Sequence, residues 1–213
     1  VKRTEKAPAA GAKAGRKMTG STMAADSDRK AAVKKAAGKN AAKKVTNAAA
    51  DLGRDDAALG ELLDVLRRRG ELVTTAESLT AGMISARIAD IPGASDVLRR
   101  AFVTYSDEAK HEMLGVKKKT LRKFTAVSAQ TARQMAKGGA KAAGAACCVS
   151  ATGYAGPAAD ENDRNVGLVY LGCCYRGKTV VEEHRYSGER HEVRAAAVRD
   201  ALRLMGECLR ENA

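Results

Sequence analysis

Two hydrophobic periods alternate along residues 51–213, and this alternation restricts the fold more than any other feature of the chain. In "DDAALGELLDVLRRRG" the residues Leu59, Leu62, Leu63 and Leu66 recur at helical spacing, and Gly70 follows as a stop. "ELVTTAE" is short and β-branched, which predicts a strand. "SLTAGMISARIADI" predicts a helix ended by Pro92-Gly93. "VLRRAFVTY" predicts a second strand, and "SDEAKHEML" a helix with Ser106 as N-cap and acids in its first turn. After a basic turn, "SAQTARQMAKGGAKAAG" predicts a helix capped by Ser128. "AACCVSATG" predicts a small-residue strand that is central if both faces are buried. Two further strands meet in a hairpin at Arg176-Gly177-Lys178, and a long amphipathic helix closes the chain. Strands alternating with helices, then a late hairpin, predict an α/β fold: a three-layer α/β/α domain with a mixed sheet.

The first 50 residues follow a different rule. They hold 13 Lys and Arg against 3 Asp and Glu, whereas residues 51–213 hold 25 against 22. The formal charge of +13 therefore belongs mostly to this segment. It is rich in Ala, Lys and Gly, and no aromatic residue precedes Phe102. Such a composition buries too little apolar surface to offset the entropy of ordering, so a disordered basic tail is expected. It suits weak, sequence-independent and salt-sensitive contact with nucleic-acid phosphates. Aromatic stacking on bases is not supported. The expected organisation is a tail over 1–50 and one domain over 51–213.

The five cysteines exclude two classes of protein. Their number is odd, two adjacent pairs sit inside apolar runs, and no C-x-x-C occurs. Neither a disulfide framework nor a metal site is expected from that pattern. Apolar runs fall far short of the roughly 20 residues that span a bilayer, and no apolar h-region follows the basic start. A cytoplasmic protein with reduced, buried thiols and no membrane contact is the expectation.

Chemistry is expected outside the carboxyl ends of the strands, where an open α/β sheet places its ligands. Three predicted strand ends carry polar groups: Glu77-Ser78, Tyr105-Ser106 and Thr152-Gly153. Ser78, at a predicted helix start, reads either as a cap or as a nucleophile beside outward-pointing amides. Tyr105 and Lys110 form a candidate acid/base pair, because a desolvated lysine can accept a hydroxyl proton directly or through a phenol. Four residues intervene between them, not three, and no glycine-rich dinucleotide fingerprint follows the first strand, so hydride transfer is disfavoured. Arg190 in "SGERHEVR" is the candidate for bidentate phosphate binding. The loop "TGYAGPAADENDRNVG" has sparse glycines and three acids, which makes it a poor phosphate cradle by itself.

In chain order, "TAESLTAG", "PGAS", "VTYSDEAKHEMLGV", "AVS", "TGYAGP", "VGLVY" and "GERHEVR" resemble the motifs of the CinA C-terminal-domain family. The resemblance covers about residues 55–211. It implies a nicotinamide-nucleotide amidase, a hydrolase of pyridine nucleotide salvage and NAD metabolism. Such an enzyme converts nicotinamide mononucleotide to nicotinate mononucleotide and ammonia without metal or cofactor. By matching positions it implies Ser78 as nucleophile, Tyr105 and Lys110 as its catalytic partners, and Ser95, Thr152, Gly153 and Arg190 as substrate-binding residues. A homodimer is also implied. Leu79 and Ala81 stand where the family pattern has Cys and Gly, and "AADENDRNVG" stands where it has a Gly-rich, Thr- and Lys-Pro-bearing loop. A second functional reading follows from that altered loop and the basic tail. It is an amidase-like nucleotide-binding module with little or no turnover, associated non-specifically with nucleic acid.

Overall fold

The computed structural model describes residues 56–157 and 165–211. The expected basic tail over 1–50, the expected domain start at 51 and the 158–164 part of the acidic loop lie outside the described residues.

The elements run in the order α1 Asp56–Arg69, β1 Val73–Glu77, α2 Met83–Ala89, a 3-10 turn Ala94–Asp96, β2 Phe102–Val103, α3 Asp107–Leu114, α4 Lys118–Phe124, α5 Ala129–Ala143, β3 Cys147–Gly153, β4 Leu168–Tyr175, β5 Lys178–Arg185 and α6 Arg190–Glu211. The sheet order is β2-β1-β3-β4-β5. β1 lies parallel to β2 and β3, while β4 runs antiparallel to its neighbours β3 and β5, so the sheet is mixed as expected.

Strand alternation sorts the core into two layers. Cys147, Val149 and Ala151 of β3 pack with Leu63 and Leu66 of α1, Ile84 and Ile88 of α2, and Val198, Leu204 and Met205 of α6. Cys148, the intervening residue, faces the other way and joins Ala76, Leu114, Leu121 and Met135. Helices thus cover both faces, giving the three-layer α/β/α arrangement. Each fully buried Leu, Ile or Met contributes about 1.5–3 kcal/mol relative to exposure. The small residues of "KGGAKAAG" allow α5 to lie close: a Cβ at Gly139 would stand 2.6 Å from the Cys148 sulfur.

Three expectations needed correction. The helix expected from Ser78 starts only at Met83, because Ala81 and Gly82 take left-handed conformations (φ 51° and 94°) and hold residues 78–82 as a turn. The strand expected over 97–105 reduces to Phe102–Val103 and an isolated Val73–Leu98 bridge. There the Thr74 hydroxyl donates to the Arg100 carbonyl at 2.7 Å, within the stretch between the bridge and the strand. The expected basic turn after α3 contains helix α4, which buries Thr120 and Leu121 and exposes its lysines. Ser106 and Ser128 cap α3 and α5 as their spacing predicted, accepting from the amides of Ala109 and Thr131.

Candidate active site

β1 ends at Glu77, and the alternation along it sends consecutive side chains in opposite directions. Glu77 is fully buried and turns towards α2. Its Oε2 accepts from the amides of Gly82 (2.9 Å) and Ile84 (3.0 Å), and its Oε1 from the Ser85 amide and the Thr75 hydroxyl (both 2.9 Å). A helix start leaves its first amides without intrahelical partners, and one carboxylate here takes three of them. These amides are therefore committed to Glu77 and do not serve an oxyanion. Ser78 turns the other way, towards α3. The amides nearest to it in the turn belong to Leu79 and Thr80, and among the described residues neither donates to a protein acceptor.

Lys110 comes from α3. Its side chain is 1% exposed and Ser78 is 9% exposed. Lys110 Nζ lies 3.1 Å from Ser78 Oγ, 3.0 Å from the Thr104 carbonyl and 3.5 Å from the Ser106 carbonyl. Burial pushes the amine below its ordinary value of 10.5, while the carboxylates of Asp107 and Glu108 pull it back up. Nζ thus has three acceptors for the three N–H groups of its charged form; on loss of one proton, two N–H groups keep the two carbonyls and the lone pair is left for the serine hydroxyl.

Tyr105 belongs to the same cavity but not to the Ser78–Lys110 contact. It is 59% exposed, and its phenol oxygen accepts from Arg190 Nη2 at 2.9 Å. Arg190 also donates to the Gly156 carbonyl at 2.6 Å. The guanidinium thus joins the first turn of α6 to the β2–α3 corner and to the segment after β3. The cavity is about 370 Å³, and its lining includes Ser78, Lys110, Tyr105, Thr152, Gly153 and Arg190. Thr152 is buried and donates to the Ala126 carbonyl at 2.8 Å, fixing the segment before α5. A Cβ at Gly153 would meet the Leu168 carbonyl oxygen at 2.7 Å, so a side chain there has no room.

Ser95 is not brought to this cavity. It sits exposed on the Ala94–Asp96 turn, which leads to Val97, whose carbonyl accepts from Val73 at the start of β1. Ser78 follows the end of β1, so about 16 Å of strand separates the two levels. Sequence reasoning also overlooked several residues. Asp107 and Tyr154 line the cavity, and Arg194 reaches the carbonyls of Leu79 (2.8 Å) and Thr80 (3.0 Å). The signals for Arg194 were its place as the last residue of the motif "GERHEVR" and its position four residues after Arg190, on the same face of a helix.

Among the described residues no cluster of His, Cys, Asp or Glu is arranged to hold a metal ion. No helix among them is long and apolar enough to cross a membrane.

Residues 56–209 match the family profile of the CinA C-terminal domain. A CinA-like protein of Kosmotoga olearia is 44% identical over 141 residues, covering 66% of this chain and 34% of that relative. The chain thus spans about a third of the length of the curated relatives it matches. A crystal structure of a CinA superfamily protein from Klebsiella pneumoniae is 32% identical, with a TM-score of 0.69, over 74% of this chain and 99% of that one. The crystal structure of a competence/damage inducible protein from Agrobacterium tumefaciens is 41% identical, with a TM-score of 0.67, over 73% and 96%. The motifs, the mixed sheet and these matches agree, and the chain belongs to the CinA C-terminal domain family.

Proposed function

We propose that this domain is a serine amidohydrolase that converts nicotinamide mononucleotide to nicotinate mononucleotide and ammonia. The observation that carries the reading is the buried 3.1 Å contact between Lys110 Nζ and Ser78 Oγ, with the amine's remaining hydrogens directed at two carbonyls. An unassisted serine hydroxyl is a weak nucleophile at neutral pH, and a desolvated lysine within hydrogen-bond reach is the general base it requires.

In this mechanism neutral Lys110 takes the Ser78 proton as Oγ bonds to the carboxamide carbon. The carbonyl π pair moves onto oxygen, for which the amide of cavity-lining Leu79 is the candidate donor. The carbonyl re-forms, the C–N bond breaks, and Lys110 returns the proton to the departing nitrogen, which leaves as ammonia. Water, activated by the same amine, then cleaves the nicotinoyl ester and regenerates Ser78. General-base help contributes about 10²–10⁴ in rate, and one oxyanion donor about 10²–10³. Arg190, at the mouth, pairs with the phosphate. Tyr105 accepts from Arg190, so its own hydroxyl proton is available to the substrate.

The test is ammonia release from nicotinamide mononucleotide by the full chain and by Ser78→Ala. The variant should fold and release none. Wild-type rates in Ser78→Ala would remove the serine from the mechanism. Binding without turnover at millimolar substrate would favour the alternative of a nucleotide-binding module.

A further inference from the structure

The geometry points to Arg194 as a positioning residue for the nucleophile turn, a role that rests on the amidohydrolase reading of Ser78. The turn Ser78–Gly82 is neither helix nor strand. From within, it is closed by the Ala81 amide on the Ser78 carbonyl and the Met83 amide on the Thr80 carbonyl, both at 3.1 Å. From the β1 side it is held by Glu77. From the opposite end of the chain Arg194 arrives, 114 and 115 residues away in sequence, with Nε on the Leu79 carbonyl and Nη2 on the Thr80 carbonyl.

Peptide planarity gives these two bonds a consequence for chemistry. The carbonyl of Leu79 and the amide of Thr80 share one plane and point in opposite directions. A guanidinium that draws the Leu79 carbonyl towards α6 therefore turns the Thr80 N–H away from α6. Its second bond fixes the next plane, which carries the Ala81 amide that closes the turn. Without Arg194, nothing else among the described hydrogen bonds holds the Leu79 carbonyl. Rotation of that plane would loosen the turn and with it the amide of Leu79, the residue that lines the cavity next to Ser78. An oxyanion donor acts only when preorganised.

Arg194 also stands one turn after Arg190 on α6. The first two turns of this helix thus carry one guanidinium for the substrate side of the cavity and one for the turn behind the nucleophile. A lysine would not replace Arg194 well, because two carbonyls with different directions match a planar fork and not a point charge.

The test compares Arg194→Ala and Arg194→Lys with the full wild-type chain in two assays. In ammonia release from nicotinamide mononucleotide, kcat should fall by about 10²–10³ while KM stays within about threefold, since a transition-state interaction is lost and not a substrate contact. Guanidinium at millimolar concentration should restore part of the kcat of Arg194→Ala, and Arg194→Lys should recover less. The second assay is phosphonylation of Ser78 by a fluorophosphonate, which needs the same turn but not the nucleotide. It should slow by a similar factor in Arg194→Ala.

Wild-type kcat and wild-type labelling in Arg194→Ala would overturn the assignment. So would a loss that follows a fall in the thermal midpoint and is not restored by guanidinium. Labelling that depends on Lys110 and Arg194 in a wild-type protein that releases no ammonia would keep the positioning role while removing the substrate. A wild-type Ser78 inert in both assays would remove both readings.

Discussion

Arg190 donates to the phenol oxygen of Tyr105 at 2.9 Å, across 85 residues of sequence, and in doing so ties the start of the last helix to the end of β2. The contact is exposed to the cavity, so in the proposed reaction the substrate phosphate would meet a guanidinium already oriented by a phenol and by the Gly156 carbonyl. Replacing Arg190 with Ala should raise KM for nicotinamide mononucleotide by about 10–100-fold, the worth of a charge-assisted hydrogen bond of about 1.5–3 kcal/mol. The Ser78 labelling rate should change little, because the Ser78–Lys110 contact does not involve Arg190. Steady-state kinetics on the variant decides between this and a chemical role.

The pH dependence should report Lys110. In the proposed mechanism its neutral form is the base, so kcat/KM should rise as the amine loses its proton, and burial places that rise below the ordinary lysine value of 10.5. Asp107 and Glu108 favour the charged amine and hold the rise at higher pH than burial alone would set. Asp107→Asn should therefore move the acid limb of the profile to lower pH, with a smaller shift for Glu108→Gln. Stability has the same origin. Between the lowered folded value and 10.5 the unfolded chain binds more protons, so unfolding free energy should rise with pH in that window. Lys110→Met should flatten the rise while lowering kcat/KM by about 10²–10⁴.

Glu77→Gln tests the carboxylate at the start of α2. The carboxylate accepts from three amides and one hydroxyl, and the carboxamide retains one acceptor oxygen but presents an NH₂ to donors. A loss of about 2–3 kcal/mol in chemical denaturation is expected, because buried donors lose a charged acceptor. A midpoint unchanged from wild type would mean that the turn is held by other contacts.

Ala81 has φ 51°, a conformation that costs a residue with a Cβ about 1–2 kcal/mol. Ala81→Gly removes that strain but loosens the unfolded chain by about 0.4–1 kcal/mol. The net expectation is a gain of up to about 1.5 kcal/mol in denaturant unfolding, with Ser78 labelling retained.

The cysteines should be silent in the native protein. All five are buried, and burial pushes the Cys148 thiol well up, away from its reactive thiolate. A small aromatic disulfide reagent should titrate none of them at mildly alkaline pH until denaturant is added.

Local rules that depend on neighbours in the chain were readable before the structure. The alternating periods gave every helix but α4 and all five strands, although β2 proved much shorter than its pattern. Ser106 and Ser128 cap their helices because a hydroxyl reaches an amide three residues on whatever the rest of the fold does. The motifs identified Ser78, Lys110, Tyr105 and Arg190, and these four line one cavity.

What the sequence could not express was direction. "TAES" contains both Glu77 and Ser78, and only the sheet, with α2 on one face and α3 on the other, sends the first to helix amides and the second to Lys110. Ser95 looked equivalent to the other motif residues, yet the parallel run of β1 and its neighbours leaves it at the opposite end of the strand. Arg194 closes the motif "GERHEVR", and only the packing of α6 across β3 and β4 brings it to the Leu79 carbonyl. Hydrophobic spacing determines which face of an element is buried, because burial acts on each residue separately. Which polar groups then meet across the core is decided by strand order and crossover geometry, where a hydrogen bond holds only within a few tenths of an ångström.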